Sequence, residues 1–464
     1  MAMNATICGH VLPGIPVSRN RIDRTPFELA ITDLSHDGRG VARREEGVHA
    51  GKAIFVSGAL PGERVMVEQT GKSRHFDEAR TLEVLEASKD RVEPRCPHFG
   101  TCSGCVLQHL EAGAQIALKQ QVLMENLERI GHVAPKRVLP PLTGNAWGYR
   151  RKGRFSVKRV EKKDKTLVGF RETDPRFVAD LRECHTVVPE LGMKVAALSS
   201  LVDSLEGRAD IPQIEFIAGD QGVALVFRHL QPLSDKDREA LAAFGAEHAF
   251  TIFLQPGGVT SVHPLHEPAA ELSFALPEWK VELAFRPLDF IQVNGDLNRR
   301  MIAHALELLD PQADDHVLDL FCGLGNFTLP LARVAGRVTG VEGDAGLVQR
   351  ARENAQHNDL ANADFHAADL SVELRGQPWL KQPYTKLLLD PPRSGAIEVL
   401  KQLPLDGLER IVYVSCHPGS LARDAGWLVN EAGWMLQAAG AMDMFPQTAH
   451  VESVAVFTPP QRKK

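Results

Sequence analysis

Across residues 27–34 apolar and polar side chains alternate (Phe-Glu-Leu-Ala-Ile-Thr-Asp-Leu), the period of a half-buried strand, and residues 35–40 read as a turn. Residues 52–57 and 64–69 are further strand candidates, with Leu60-Pro61-Gly62 turning between them, and residues 79–85 close the set. Several short strands packed so closely predict a small β-barrel, of the kind that often binds oligonucleotides. The period then changes. Within residues 108–130, Ile116, Leu123, Leu127 and Ile130 fall on one helical face, and Gly131 ends the pattern. Residues 147–182 return to strands, and 186–280 mix helix and strand without readable chemistry.

From about residue 290 strands and helices alternate. Helices are expected at 298–309, 325–334 and 345–358, and buried strands at 316–320, 337–341, 386–389 and 410–414. Such alternation predicts an α/β fold with a parallel sheet covered on both faces, binding its ligand at the carboxyl ends of the strands. Three parts follow: an N-terminal β-domain at 15–89, an α+β central domain at 90–288, and an α/β domain at 289–464.

Composition changes this picture little, but charge does. The 464 residues carry a net charge of −6. Residues 1–200 hold 31 Lys and Arg against 24 Asp and Glu, whereas the remainder holds 22 against 35. The steepest basic cluster is Arg150, Arg151, Lys152, Arg154, Lys158, Arg159, Lys162, Lys163 and Lys165. It suits phosphate contact, and equally suits a solvated strand pair whose charges keep an edge soluble. No apolar stretch reaches the length of a membrane span and no secretion signal is evident, so a cytoplasmic protein is expected. The seven cysteines, an odd count, argue against a disulfide framework.

Chemistry gathers at the strand ends. The first α/β strand runs into Val317-Leu-Asp-Leu-Phe-Cys-Gly-Leu-Gly-Asn-Phe-Thr328, a glycine turn where backbone can approach a ligand. The next strand ends in Glu342, an acid able to hold the hydroxyls of a ribose. Asp369 follows in Ala367-Ala-Asp-Leu370, and Asp390 opens Asp390-Pro-Pro-Arg393. Acids with a single glycine turn suit a nucleoside without phosphates, such as S-adenosyl-L-methionine, whose sulfonium favours nearby carboxylates. The competing reading, a dinucleotide-binding dehydrogenase domain, lacks its third glycine here.

Cys416, in Val412-Tyr-Val-Ser-Cys-His-Pro-Gly419, comes directly after a buried strand that His-Pro prevents from continuing. Taken singly it reads as an inert packed thiol, and Glu452 in His450-Val-Glu-Ser-Val-Ala-Val456 reads as an exposed edge charge. Together they suit one reaction. Uracil C5 is a poor nucleophile until a thiolate adds at C6, and a base must afterwards remove the C5 proton.

Four separated segments, Phe290-Ile-Gln-Val-Asn294, Asp390-Pro-Pro-Arg-Ser-Gly395, Val414-Ser-Cys-His-Pro418 and His450-Val-Glu452, together resemble the signatures of the RNA uracil-C5 methyltransferases. The resemblance spans the whole chain. It implies that Cys416 is the nucleophile and Glu452 the general base, and that Gln292, Phe321, Asn326, Glu342, Asp369 and Asp390 line the S-adenosyl-L-methionine site in a Rossmann-like domain. Asp390 is expected to serve both cofactor and target base. Asp369 stands where some members carry Asn.

Cys96-x5-Cys102-x2-Cys105, with Cys184 as a fourth, offers four thiolates that fit a tetrahedral zinc or an iron–sulfur cluster. Ligand chemistry alone slightly prefers zinc. The segment Cys96-Pro-His-Phe-Gly-Thr-Cys-Ser-Gly-Cys105 resembles the [4Fe-4S] site of the ribosomal-RNA branch of the family, and the N-terminal domain resembles its OB-like TRAM barrel. That resemblance implies a cytoplasmic, monomeric enzyme acting on 23S ribosomal RNA, without DNA or membrane partners. The same chemistry on another ribosomal or a transfer-RNA uracil, or a non-catalytic RNA-binding factor, are the alternatives. Cys8 and Cys322 have no assigned part.

Overall fold

Strand alternation in the first ninety residues produces a sheet whose inward positions are mostly apolar, with Gln69 and Asp77 as buried polar exceptions. A computed structural model describes residues 22–44, 51–268 and 271–460, so Cys8 and the start of the expected N-terminal domain lie outside the described residues. Two compact units result, one of residues 1–35 with 39–88, the other of 36–38 with 89–464. The first holds β1 (Phe27–Ala30), β2 (Asp33–Leu34), β3 (Gly40–Arg43), β4 (Ala53–Ser57), β5 (Arg64–Lys72) and β6 (Phe76–Glu86). They form one sheet in the order β1-β5-β6-β4-β3-β2. Leu29, Ile54, Val56, Val65 and Val67 fill its core, every second residue of their strands as the pleat requires.

The second unit begins with α1 (Ala112–Arg129), whose first turn is capped by the Glu111 carboxylate accepting the Ala114 N–H at 3.1 Å. Ile116, Leu123 and Leu127 are buried as their spacing requires, but Ile130 lies past the last turn and is 50% exposed. Gly131 does more than end the helix. A Cβ there would sit 2.4 Å from the Ala422 carbonyl, so only glycine permits this approach between helices.

Strand β7 (Arg137–Val138) follows, then β8 (Lys152–Val160), β9 (Lys165–Gly169), the short α2 (Pro189–Gly192) and α3 (Val195–Ser204). Next come β10 (Gln213–Gly219), β11 (Gly222–Arg228), α4 (Asp235–His248), β12 (Phe250–Gln255) and β13 (His263–Pro264). These strands make a sheet ordered β13-β12-β11-β10-β8-β9. A hairpin of β14 (Leu272–Leu276) and β15 (Val281–Phe285) leads onward.

The C-terminal part runs α5 (Gly295–Leu309), β16 (His316–Leu320), α6 (Thr328–Ala332), β17 (Arg337–Glu342), α7 (Ala345–His357), β18 (Ala363–Ala367) and β19 (Lys386–Leu389). Then come α8 (Ile397–Leu400), β20 (Arg410–Ser415), α9 (Pro418–Asn430), β21 (Met435–Met442) and β22 (Glu452–Thr458). Their sheet is ordered β18-β17-β16-β19-β20-β22-β21-β7.

Two expectations change here. The sheet is not wholly parallel: β22 runs antiparallel to both β20 and β21, while β18 to β20 and the β21–β7 pair are parallel. The helix expected over 325–334 shrinks to Thr328–Ala332: Gly325 has φ +99°, outside helical space, so the first turn cannot form there. The edge beyond β21 is covered by β7, drawn from the segment after α1.

Candidate active site

Every parallel strand of the C-terminal sheet delivers its last residues to one edge. Leu320 pairs with Val341 and Leu389, and Leu389 with Tyr413, so Phe321, Glu342 and Asp390 emerge side by side, with Cys416 two residues beyond Val414, the position level with Asp390. The antiparallel β22 brings its first residue to the same edge. Ser415 pairs with Ser453, which makes Cys416 and Glu452 the next residues outward on adjacent strands. Glu452 is therefore 2% exposed rather than an edge charge.

The glycine turn is shaped by Phe321, whose φ is +63°. The N–H groups of Phe321 and Cys322 both donate to the Val341 carbonyl, at 2.8 and 3.1 Å. Glu342 accepts the Gly323 N–H (3.2 Å) and the Asp344 N–H (3.0 Å), and a Cβ placed on Gly323 would meet open space. A turn whose backbone borders a hollow beside an acid fits the adenosine part of a nucleoside ligand. Asn326 and Asn298 exchange amide hydrogen bonds at 2.9 and 3.0 Å, fixing the turn to α5. Asp369 is exposed, and the Ser371 hydroxyl and N–H hold its carboxyl below the usual range.

Gln292 precedes the α5 cap, where the Asn294 side chain accepts the Leu297 N–H at 3.1 Å. Its backbone carbonyl accepts from the Arg151 Nε (2.8 Å) and its side-chain amide donates to Asp390 (3.2 Å). Arg151 is buried, with its guanidinium 4.3 Å from the centre of the Phe274 ring.

Sequence reasoning passed over Asp319. It is buried inside β16, its Oδ2 accepts from the Thr328 hydroxyl at 2.5 Å, and its Oδ1 has no partner. Burial pushes its carboxyl up to about 7. An acid in the otherwise apolar run Val317-Leu-Asp-Leu320 was the available signal.

Three groups at the edge share one electrostatic problem. Burial raises Asp390 to about 7 against the Gln292 amide, which lowers it. Glu452 is raised well above its usual range, by burial first and then by Asp390. Cys416 is pushed up to about 11 by burial, then by Glu452 and Asp390, with Arg393 opposing. The thiol stands just before α9, whose N-terminus is capped by the His417 ring accepting the Ser420 N–H (3.1 Å) with Pro418 in the first turn. A cationic ligand at this edge would ease all three charges at once.

The four cysteines Cys96, Cys102, Cys105 and Cys184 line one small hollow, walled also by Phe99 and Phe170. All are free thiols, and burial raises Cys102 to about 11 and Cys105 to about 12. Among the described residues no three His, Cys, Asp or Glu side chains stand close enough to hold a single metal ion. A tetrahedral zinc would draw its thiolates to about 2.3 Å from one point. Four thiols around one hollow supply the ligand set that either a tetrahedral zinc or an iron–sulfur cluster takes.

The basic segment is less bare than its sequence suggests. Arg154 pairs with Glu215 at 2.8 Å, Arg159 with Asp203 at 2.8 Å and with Asp164, and Lys165 with Asp180 at 2.7 Å. Arg151 and Lys152 turn inward, to the carbonyls of Gln292 and Asp289. Among the described residues no helix is long and apolar enough to cross a membrane.

A family model described as tRNA (Uracil-5-)-methyltransferase matches residues 279–458, and the TRAM domain model matches 24–70. A protein of Xanthomonas euvesicatoria pv. vesicatoria named 23S rRNA (uracil(1939)-C(5))-methyltransferase RlmD is 70% identical over 95% of this chain and 99% of that protein. The chain belongs to the RNA uracil-C5 methyltransferase family. It is accordingly an S-adenosyl-L-methionine-dependent enzyme with an N-terminal TRAM domain. The protein of that name from Stenotrophomonas maltophilia is 72% identical over the same shares. The crystal structure of Pyrococcus abyssi tRNA (uracil-54, C5)-methyltransferase in complex with S-adenosyl-L-homocysteine superposes with a TM-score of 0.70. It covers 93% of this chain and 99% of its own at 23% identity, a likeness of fold.

Proposed function

We propose that this enzyme forms 5-methyluridine in 23S ribosomal RNA, at the uracil its relatives' names number 1939, through a covalent bond from Cys416. The observation that carries the reading is the Ser415–Ser453 register, which sets a thiol and a buried carboxylate on neighbouring strands beside Asp390. The Cys416 thiolate adds to C6 of the uracil, and the C5–C6 electron pair moves toward the O4 carbonyl as an enolate. S-adenosyl-L-methionine, when bound, supplies an electrophilic methyl. C5 attacks that methyl as its bond to the donor sulfur breaks and S-adenosyl-L-homocysteine leaves. Glu452 then removes the C5 proton, and the pair left behind restores the C5–C6 double bond as the C6–sulfur bond breaks and the thiolate departs.

Gln292, Phe321, Asn326, Glu342, Asp369 and Asp390 hold the cofactor in this reading, with Asp390 also facing the base. Cys96, Cys102, Cys105 and Cys184 hold a [4Fe-4S] cluster, which when bound ties the 96–105 loop to the segment around Cys184 within the central domain. The TRAM domain and the central basic residues contact the RNA. Exposed ion pairs such as Arg154–Glu215 are weak, so phosphates can replace their carboxylates. The protein acts as a cytoplasmic monomer, and flips its target base from an unpaired segment at low cost.

The test is a mass-spectrometric map of methylated uridine after incubation with the methyl donor and unmodified 23S or transfer RNA. A single 5-methyluridine in 23S RNA, abolished by Cys416→Ala, is expected. Methylation of transfer RNA alone would overturn the substrate, and full turnover by Cys416→Ala would overturn the mechanism.

A further inference from the structure

Residues 443–451 carry the chain from the end of β21 to Glu452, and this connection is held from several sides by residues remote in sequence. Lys119 of α1, almost fully buried, donates to Asp443 Oδ1 at 2.6 Å and to the Phe445 carbonyl at 2.9 Å. Gln115, one turn earlier on the same face, makes a reciprocal pair with Gln447. Its amide donates to Gln447 Oε1 at 3.0 Å, and its oxygen accepts the Gln447 N–H at 3.0 Å. Tyr149 donates its hydroxyl to the Pro446 carbonyl at 2.9 Å. The N–H groups of Val106 and Leu107, just after Cys105, both donate to the Gln447 carbonyl at 3.0 Å. Gln447 itself has φ +68°, a conformation a non-glycine residue keeps only when its surroundings impose it.

A surface connection would leave these groups to water. Here Gln115, Lys119, Asp443, Gln447 and Thr448 are all buried, and a satisfied buried polar network admits one geometry. What that geometry controls follows from the ladder. Glu452 is the first residue of β22 and the last rung of the β21–β22 ladder, opposite Met442, so on its N-terminal side only what holds residues 443–451 fixes its approach.

We infer that Gln115, Lys119, Asp443 and Gln447 are positioning residues for Glu452, and that the loop after Cys105 is tied to the proton-removal step through the Gln447 carbonyl. The inference rests on reading Glu452 as the base. Loosening this clasp slows elimination more than methyl transfer, because only elimination requires the carboxylate to reach the C5 proton. The covalent, already methylated RNA–protein adduct then accumulates.

The experiment is single turnover of the full-length protein with a 23S-derived RNA and isotopically labelled methyl donor, resolved on a denaturing gel. Gln447→Ala and Gln115→Ala are expected to incorporate methyl at nearly the wild-type rate and to release product about ten-fold more slowly, as displacement of a reacting group predicts. Asp443→Asn, which leaves Lys119 an oxygen to donate to, is the milder variant if either of these unfolds, with the same sign expected. Folded variants in which transfer and release fall together, or in which neither changes, overturn the inference. Glu452→Gln in parallel separates the causes. If it traps no adduct the base assignment fails and the inference with it; if it traps adduct and the clasp variants do not, the inference alone fails.

Discussion

The side-chain amide of Gln292 donates to Asp390 at 3.2 Å, joining the segment ahead of α5 to the acid at the end of β19. That amide favours the charged form, and burial outweighs it, leaving Asp390 near 7. A carboxyl raised above its unfolded value contributes stability that is complete below about pH 4 and is lost as pH rises through about 7. Asp390→Asn should therefore melt higher than wild type at pH 8, by roughly 1 kcal/mol or more, with the difference closing toward pH 4. It should also lose nearly all activity. Calorimetry at the two pH values decides: equal melting at pH 8 would mean the carboxylate is well solvated.

Glu452 is the first charge, after burial itself, that raises the Cys416 thiol. Removing it in Glu452→Gln should lower the pH midpoint of Cys416 alkylation below that of the wild type. The rate of a small alkylating reagent, followed by mass spectrometry from pH 7 up to about pH 12 so as to pass the wild-type midpoint near 11, reads this directly. An unchanged midpoint would separate the two side chains electrically despite their adjacent strands.

The Lys119–Asp443 pair is almost wholly buried, at 1% and 11% side-chain exposure. Lys119→Ala leaves Asp443 without its ammonium and should cost about 3 kcal/mol. The double change Lys119→Met with Asp443→Leu should recover most of that loss. Denaturant unfolding of the three proteins gives the comparison, and a double variant as unstable as the single one would contradict it.

If the four thiols hold a [4Fe-4S] cluster, protein purified without air should contain iron and acid-labile sulfide in equal amounts and absorb broadly in the visible. Cys105→Ser, which removes one of the four thiols, should lose both. Zinc in place of iron would return the site to the other reading that four thiolates allow.

Much of the site is legible in the sequence because parallel strands end where chemistry begins. Glu342, Asp390 and Cys416 each follow an apolar run, and a strand that stops at His-Pro or Asp-Pro leaves little doubt about its end. Glu452 is not legible in the same way. It precedes its strand, and only the insertion of β22 between β20 and β21 turns an apparent edge charge into a buried one. Asp319 stayed hidden because its partner, Thr328, lies across a turn whose shape depends on positive φ at Phe321, Gly323 and Gly325. The basic cluster misleads for a similar reason: its acids, Asp203 and Glu215, come from other strands and helices.

Strand β22 follows β21 in the chain yet lies between it and β20. Assembly therefore cannot proceed by adding strands one after another at a growing border. Until the β21–β22 hairpin forms and docks as a unit, the flank of β20 is an open row of unpaired amides and carbonyls, in an apolar strand prone to stick to other chains. Slow or mutated hairpin closure in this protein should thus show itself first as aggregation during refolding, before any loss of activity in the molecules that do fold.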